Sequence, residues 1–317
     1  MLDEYLVGDV ERISPEAPVP VVRIRERRYS LGGVGNVAQN VVAAGAECHL
    51  VCAVGQDAAG DQLAGMLSDL GVSGQGIIRV GRPTTRKARV VARAQQLVRI
   101  DEEDDSDLDA ADARAVIDAV ERALDGADAL IFEDYNKGVL VPSLIREVVR
   151  LARSRDVPVI VDPKYRHFFE YRGATVFKPN RRELEAALGA AVDMDHPEAI
   201  PGALARLDVD YLLLTLGERG MVLASRDGAI RSVPTVAREV YDVVGAGDTV
   251  TAYLATVLGA GGDAAEAAVI ANYAAGVEVG KLGAATVSPE EILEAYDHFA
   301  AQENEAASYG AAAARTG

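Results

Sequence analysis

The chain has 317 residues, with 49 acidic side chains against 32 basic ones, a formal charge of −17. That balance excludes a nucleic-acid binder, which needs clustered Lys and Arg to neutralise phosphates, and argues against attachment to an anionic membrane surface. Apolar residues make up 49% of the chain but aromatics only 5%, so a large core can form and must be mostly Ala, Val, Leu and Ile.

The start, Met-Leu-Asp-Glu-Tyr, is acidic where a secretory leader is basic and then apolar. No run approaches the roughly 18 uninterrupted apolar residues of a membrane span. Cys48 and Cys52 flank an apolar run, too few for a metal site or a disulfide scaffold. A soluble protein with buried thiols in a reducing cytoplasm is expected.

In chain order, Val19 to Ile24 is β-rich, after Pro15 and Pro18. A helical run covers Val34 to Ala44, a strand Leu50 to Val54, and a helix surrounds Asp61 to Leu70. From Arg86 to Ile100, arginines alternate with Val90, Val91, Leu97 and Val98, which suits an exposed sheet. The acidic run Asp101 to Asp109 reads as a solvated turn into a helix, Ala110 to Leu124. Then come a strand at Ala129 to Phe132, a helix at Ser143 to Arg153 and a strand at Val157 to Val161. Further strands are read at Thr175 to Phe177, Tyr211 to Thr215, Met221 to Ala224 and Ile230 to Val233. Helices follow at Gly245 to Leu258, Ala264 to Val279 and Pro289 to Phe299. Short, continuously apolar strands alternating with helices predict a parallel sheet covered on both faces. The expected fold is α/β, a three-layer α/β/α domain over residues 1–300 with a small β lid from about 5–30 and 84–101, followed by an Ala-rich flexible tail, 301–317.

The strongest chemical signal is Asp242-Val243-Val244-Gly245-Ala246-Gly247-Asp248-Thr249. Glycines opening a helix let backbone N–H groups of Gly245, Ala246 and Gly247 approach an anion, with the helix dipole adding to them. Asp248 would repel a phosphate but suits a base, taking a proton from a hydroxyl as it attacks phosphorus. The same string also fits a tight turn with Asp248 as a helix cap. A second signal is Gly32-Gly33-Val34-Gly35-Asn36, which opens a helix. It lacks the third glycine of a dinucleotide fingerprint, and the charged stretch Arg25 to Ser30 argues against a strand just before it. Glycines with Asn36 and Asn40 suit a polyhydroxylated ligand, though a plain turn fits as well.

Together these two strings resemble the paired signatures of the ribokinase-like (PfkB) sugar kinases, and the resemblance spans nearly the whole chain. Asn180-x-x-Glu183 after Lys178-Pro179, and Thr215-Leu216-Gly217-Glu218-Arg219-Gly220, are similar to further family elements. Within the family, Met1-Leu2-Asp3, the string Arg12 to Val21, Gln95 to Asp101, Asp134-Tyr135-Asn136-Lys137-Gly138 and Asp162-Pro163-Lys164 resemble the D-glycero-β-D-manno-heptose-7-phosphate kinases.

The resemblance implies ATP-dependent phosphorylation of the heptose 7-phosphate at O1, with Asp248 as base and Gly245, Ala246 and Gly247 as the anion hole. It places the sugar against Asp3, Gly32, Gly33, Asn36, Gln95 and Asp134. Lys87, Arg89, Arg99 and Lys137 are candidates for the sugar's phosphate, with a solvated strand face the other reading for the flap arginines. Lys164, Asn180, Glu183, Thr215, Gly217, Gly220 and Asn272 would hold the nucleotide, with Lys164 equally suited to a structural salt bridge. Mg²⁺ would be held indirectly by Glu183, and K⁺ near Asp242, where Val243 and Val244 replace the family's threonines. A homodimer through the β lid is implied, and a cytoplasmic setting. A related sugar or sugar-phosphate acceptor, or a non-catalytic sugar-binding relative, shares these residues.

Relatives carry a strand ending in Gly-Asp directly before the Met-Leu-Asp string. The expectation is that a central strand is missing, leaving ladder groups open on both neighbours and the chain poorly stable, with a start codon annotated too late as the favoured cause. The four histidines, His49, His167, His196 and His298, form no His-x-Gly-His motif, so the nucleotidylyl transfer of bifunctional relatives is not expected here.

Overall fold

Two long strands, β1 (Leu2–Ile13) and β2 (Pro20–Leu31), pair antiparallel at the start of the chain. Residues 1–93, 95–192, 199–237 and 240–299 are described in the computed structural model. After β2 come α1 (Val34–Ala43), β3 (Cys52–Gly55), α2 (Ala58–Asp69), β4 (Ile77–Val80), and the hairpin strands β5 (Arg86–Ala92) and β6 (Gln95–Glu102). Then follow α3 (Ala110–Ala123), β7 (Leu130–Glu133), α4 (Pro142–Arg153), β8 (Val159–Asp162), β9 (Val176–Phe177), α5 (Arg181–Leu188) and α6 (Ala199–Leu207). The last elements are β10 (Tyr211–Thr215), β11 (Met221–Ser225), β12 (Ile230–Val233), α7 (Ala246–Gly259) and α8 (Ala264–Glu278), with a further helical stretch over 289–299. The proposed tail, 301–317, and His196 lie outside the described residues.

The main sheet has the order β12-β11-β10-β9-β8-β7, parallel from β7 to β10 and antiparallel at β11 and β12. Its strands are buried on both faces because one core cluster packs α3, α4 and α6 on one side and another packs α7 and α8 on the other. Local signals set the helix starts. Asp109 accepts the N–H groups of Ala111 and Asp112 at α3, Pro142 opens α4, and Asp263 with Glu266 forms a capping box at α8.

A separate four-stranded sheet has the order β2-β1-β5-β6. It corrects one sequence expectation. The charged stretch Arg25 to Ser30 is strand, and β2 runs directly into the Gly32-Gly33 turn. Its arginines face solvent and β1 acids, Arg25 bonding Asp9 at 3.1 Å and Arg27 bonding Glu4 at 3.0 Å, so charge does not stop it pairing. The strand at Arg86 to Ile100 is a hairpin extending to Glu102, so the solvated turn starts later than Asp101. Helices α5 and α6 were not legible in the sequence. Leu184 is the one buried residue of α5, too few for a periodic stripe.

Strands β3 and β4 form a parallel pair of their own. Among the described residues neither β3 nor β7 has a second neighbour, and the two face a cavity of about 630 Å³ lined by Leu50, Val54, Leu130, Phe132 and Met1. Burial pushes the Met1 amino group below its ordinary pKa and raises the Cys48 thiol to about 11. No helix among the described residues is long and apolar enough to cross a membrane.

Candidate active site

The sheet directs its acids to one place. β7 and β8 end on Glu133 and Asp162, paired in register, and the first turn of α7 brings Asp248 to the same point. One carboxylate oxygen from each lies within 4.8 Å of the others. Lys178, just past β9 and 3% exposed, donates to Asp162 Oδ2 at 2.8 Å and offsets part of this charge. Burial alone would lower its pKa, yet Asp162 and Glu133 hold it above the ordinary lysine value. Burial, then Asp162 and Asp248, drives the Glu133 carboxyl well above the usual range.

Asp248 does not cap its helix. Gly245 is the N-cap of α7, at φ 100°, and no side chain caps the turn. The first N–H groups of α7 therefore have no intrahelical partner. An added Cβ at Gly247 would stand 3.8 Å from Lys178 Nζ and 3.9 Å from Asp162 Oδ2, so the anion hole and the ammonium share one pocket. The Asp248 carboxylate instead accepts from Asn36 Nδ2 at 2.7 Å and from the Tyr135 hydroxyl at 2.8 Å. Burial raises its pKa, while these two donors favour the ionised form. Tyr135 itself is pushed far up by burial, with Glu133 and Asp248 adding, so it stays a proton donor.

The sugar-side expectations divide. Asp3 on β1 bonds Arg89 on β5 at 2.6 Å, and an added Cβ at Gly32 would collide with the Asp3 carboxylate. Gly33 takes φ 58° at the N-cap of α1, against the Tyr135 ring. Asn36 thus touches Asp248 directly and Gly33 meets the Tyr135 ring that bonds it, while Asp3, Gly32 and Arg89 form the adjoining cluster at the start of α1. Lys87 and Lys137 converge on Glu103, at 3.8 Å and 2.7 Å, and Lys87 also meets Asp101 at 3.4 Å. Arg99 pairs with Asp101 on the exposed strand. Asn40 is a tie between helices, donating to Asn36 O and accepting from the Thr249 hydroxyl.

Two expected sugar contacts are not brought in. Gln95 pairs with Ala92 at the hairpin turn, five residues beyond Lys87, or roughly 16 Å along the strand. Asp134 is 5% exposed and spends both oxygens internally, on the Asn136 N–H at 2.7 Å and the Tyr171 hydroxyl at 2.9 Å. It holds the turn that presents Tyr135. Tyr135, Lys178, Asp162 and Glu133 were missed as site residues. An acid or lysine closing an apolar strand was the available signal for the last three.

On the nucleotide side, Asn180 and Glu183 form a capping box on α5, each side chain bonding the other's N–H at 2.9 Å. The second Glu183 oxygen meets Lys164, so the salt-bridge reading of Lys164 describes this contact. Burial alone would lower the Lys164 pKa, but Glu183 raises it. Thr215 sits across a bridge from Asn180, placing the 215–220 turn beside α5. Gly217 and Gly220 take φ 62° and 80°, and a side chain at Gly220 would strike the Val233 carbonyl. Asn272 donates to the Pro234 carbonyl at 2.8 Å, anchoring the loop ahead of the anion hole. Asp242 accepts from the Val244 N–H at 3.0 Å.

A carboxylate held by two donors at the uncapped start of a helix, beside a buried lysine, suits phosphoryl transfer. The family pattern described as pfkB family carbohydrate kinase matches residues 2–291. The chain belongs to this family. It is a carbohydrate kinase domain, a phosphotransferase with an alcohol acceptor. The chain is 46% identical over 296 residues to the bifunctional protein HldE of Geobacter sulfurreducens, covering 92% of this chain and 60% of that one. To the protein of the same name from Pelobacter propionicus it is 47% identical over 298 residues, covering 93% and 61%. It thus spans about 60% of the length of these curated relatives. Its fold is similar to phosphofructokinase-2 from Escherichia coli in complex with potassium, with a TM-score of 0.74 at 18% identity over 94% of this chain and 96% of the other. Arabidopsis thaliana ribokinase complexed with ribose and ATP gives 0.72 at 20%, over 93% and 95%.

Proposed function

We propose that this domain transfers the γ-phosphoryl group of ATP to O1 of D-glycero-β-D-manno-heptose 7-phosphate, giving the 1,7-bisphosphate used for ADP-heptose and the lipopolysaccharide core. The observation that carries the reaction is the Asp248 carboxylate, held by Asn36 and Tyr135 at the open N-terminus of α7. The strings shared with heptose-7-phosphate kinases, and the name of the curated relatives, support the acceptor.

In this reading Asp3 and Arg89 take sugar hydroxyls, and the Gly32-Gly33 turn lets the ring approach the backbone. Lys87 and Lys137 take the 7-phosphate, with Glu103 yielding its place between them. Asp248 accepts the O1 proton as the new O–P bond develops, and the leaving ADP carries the electron pair of the broken bond. The N–H groups of the Gly245–Gly247 turn and Lys178 face the charge on the transferred group.

Divalent-metal chemistry fits these residues. Glu133 Oε2 is buried without a hydrogen-bond partner, and Asp162 stands beside it. Glu133 and Asp162 would hold Mg²⁺ with the nucleotide, and Glu183, already engaged by Lys164, would act at one remove. A bound Mg²⁺ supplies charge neutralisation to the phosphates. K⁺ near Asp242 remains part of the proposal, as do a cytoplasmic setting and a homodimer through the four-stranded sheet. That sheet exposes Ile13, Ile24, Tyr29, Leu97, Val98 and Ile100, an apolar set that a second lid would cover.

The decisive experiment is ATP- and Mg²⁺-dependent turnover of heptose 7-phosphate against fructose 6-phosphate and ribose. Preference for the heptose by at least about a hundredfold in kcat/KM is expected, and equal or better use of another acceptor overturns the substrate assignment.

A further inference from the structure

Glu103, one residue past β6, bridges two lysines from different parts of the chain. Its Oε2 meets Lys137 Nζ at 2.7 Å and Lys87 Nζ at 3.8 Å. Lys87 lies on β5 of the four-stranded sheet, and Lys137 on the turn after β7 of the main sheet. All three side chains are mostly buried. Asp101 also meets Lys87, at 3.4 Å, but it is shared with Arg99. Among the described residues only Glu103 pairs with both lysines. One anionic oxygen between two ammonium groups is the arrangement a phosphate oxygen would take.

The backbone behind these groups is fixed. Arg82 donates to the Lys137 carbonyl at 2.7 Å and to the Ser106 carbonyl at 2.5 Å, and the Leu108 N–H donates to the Gly138 carbonyl at 2.8 Å. Gly138 takes φ 65°, and an added Cβ there would strike the Ser106 carbonyl. The segment after Glu103 is thus tied to the turn that carries Lys137. The same turn carries Tyr135, which bonds Asp248. Tyr135 and Lys137 are two residues apart, at most about 7 Å of chain. On β5, Lys87 stands in register with Asp3 on β1, two residues from Arg89 and on the same face as it. The lysine pair therefore borders the Asp3–Arg89 cluster on one side and the Tyr135 turn on the other.

We propose that Glu103 is a specificity-determining residue, an internal stand-in for the distal phosphate of a phosphorylated sugar. It holds the anion place between Lys87 and Lys137 until an acceptor's phosphate displaces it. The proposal rests on the sugar-phosphate kinase reading of the Asp248 site. A tethered carboxylate competes at an effective concentration that a free anion must overcome. A phosphate does so with about two charges and three acceptor oxygens against a single charge. The competition falls on phosphorylated ligands alone, since an acceptor lacking the phosphate leaves Glu103 where it is. Glu103 thereby holds down affinity for the phosphorylated acceptor and for a product that keeps the same phosphate.

The test compares the chain with E103Q, K137A and the double variant. One readout is KM for heptose 7-phosphate and for the same heptose without its phosphate. E103Q is expected to lower the first about tenfold and leave the second unchanged. K137A is expected to raise KM for the phosphorylated acceptor, and adding E103Q to it to recover less than about twofold, because the gain needs the lysine. The other readout is binding of inorganic phosphate by calorimetry, which needs no turnover. E103Q is expected to tighten, about tenfold, the binding that K137A abolishes. E103D, which keeps the charge but withdraws it from the lysines, is expected to show a smaller gain of the same kind and serves if E103Q does not fold. Equal KM changes for the two acceptors, no gain in either Glu103 variant, or a full gain in the K137A background would overturn the proposal and leave Glu103 a structural latch between the sheets. No turnover of any phosphorylated sugar would sink the substrate reading, with phosphate binding still deciding the role of Glu103.

Discussion

Two glycine-led helices meet at the centre of this kinase, and they use glycine for different ends. Helices α1 and α7 both begin on a glycine of positive φ, Gly33 at 58° and Gly245 at 100°, and neither has a side-chain cap. At α1 the turn is closed by its own protein. The Asp3 carboxylate presses on Gly32 and the Tyr135 ring on Gly33. At α7 the turn is open above Gly247, with Lys178 nearly 4 Å from where a side chain would begin. In the proposed reading, the same backbone device makes a wall for the hydroxyls of the sugar in one place and a hole for the transferred phosphoryl group in the other. The difference lies in what the neighbouring strands deliver, a carboxylate from β1 to α1 and a lysine from past β9 to α7.

That contrast can be broken in graded steps. The largest effect is expected from Asp248→Asn, which keeps the open turn but removes the base. Turnover should fall by at least about a hundredfold with KM for ATP little changed. An unchanged kcat would refute the base. Next come the α7 glycines, which should separate from each other. Gly247→Ala has room for its methyl group and should keep wild-type thermal stability, yet lose roughly tenfold or more in kcat by filling the anion hole. Gly245→Ala must hold a positive φ and meets Glu278, Ala284 and Asn36 within 3.2 Å, so it should also lose stability, by about 1–3 kcal/mol in a denaturant titration. Equal melting of the two variants would contradict this division.

At α1, Gly32→Ala should displace the Asp3 carboxylate. The expected result is a rise of about tenfold in KM for the sugar, with kcat less affected, because the loss falls on substrate binding. The smallest effect is expected from Tyr135→Phe. Its hydroxyl favours ionised Asp248, so removing it raises the folded pKa of that acid further. The base works ionised, so turnover rises with pH through that pKa, and the acid limb of kcat should move to higher pH with a few-fold loss at neutrality. A limb that stays in place would show that Asn36 alone sets the base.

Much of this could be read before any coordinates. Apart from α5 and α6, the order of strands and helices from Ala110 onward was visible because buried parallel strands are short and apolar. The Gly-Ala-Gly-Asp string pointed to an anion hole with a base because both sit on one turn. Other features were hidden for physical reasons. The second half of β2, Arg25 to Ser30, was not read as strand because the acids its arginines need come from its pairing partner. Asp134 and Tyr135 are neighbours in sequence, and only packing shows that the acid is spent on Tyr171 while the tyrosine reaches Asp248. Asn180-x-x-Glu183 was read as a ligand set, and both of its ends serve a capping box here.

By itself, then, the sequence determined the class of fold, the kind of chemistry and the turn to which that chemistry is assigned, since these depend on residues a few positions apart. The tertiary structure alone decided which carboxylates converge. Glu133, Asp162 and Asp248 lie on three elements, and Glu278 reaches the same turn from the end of a fourth. No local pattern links them, because the pKa of a buried acid is set by neighbours that only the folded chain brings near.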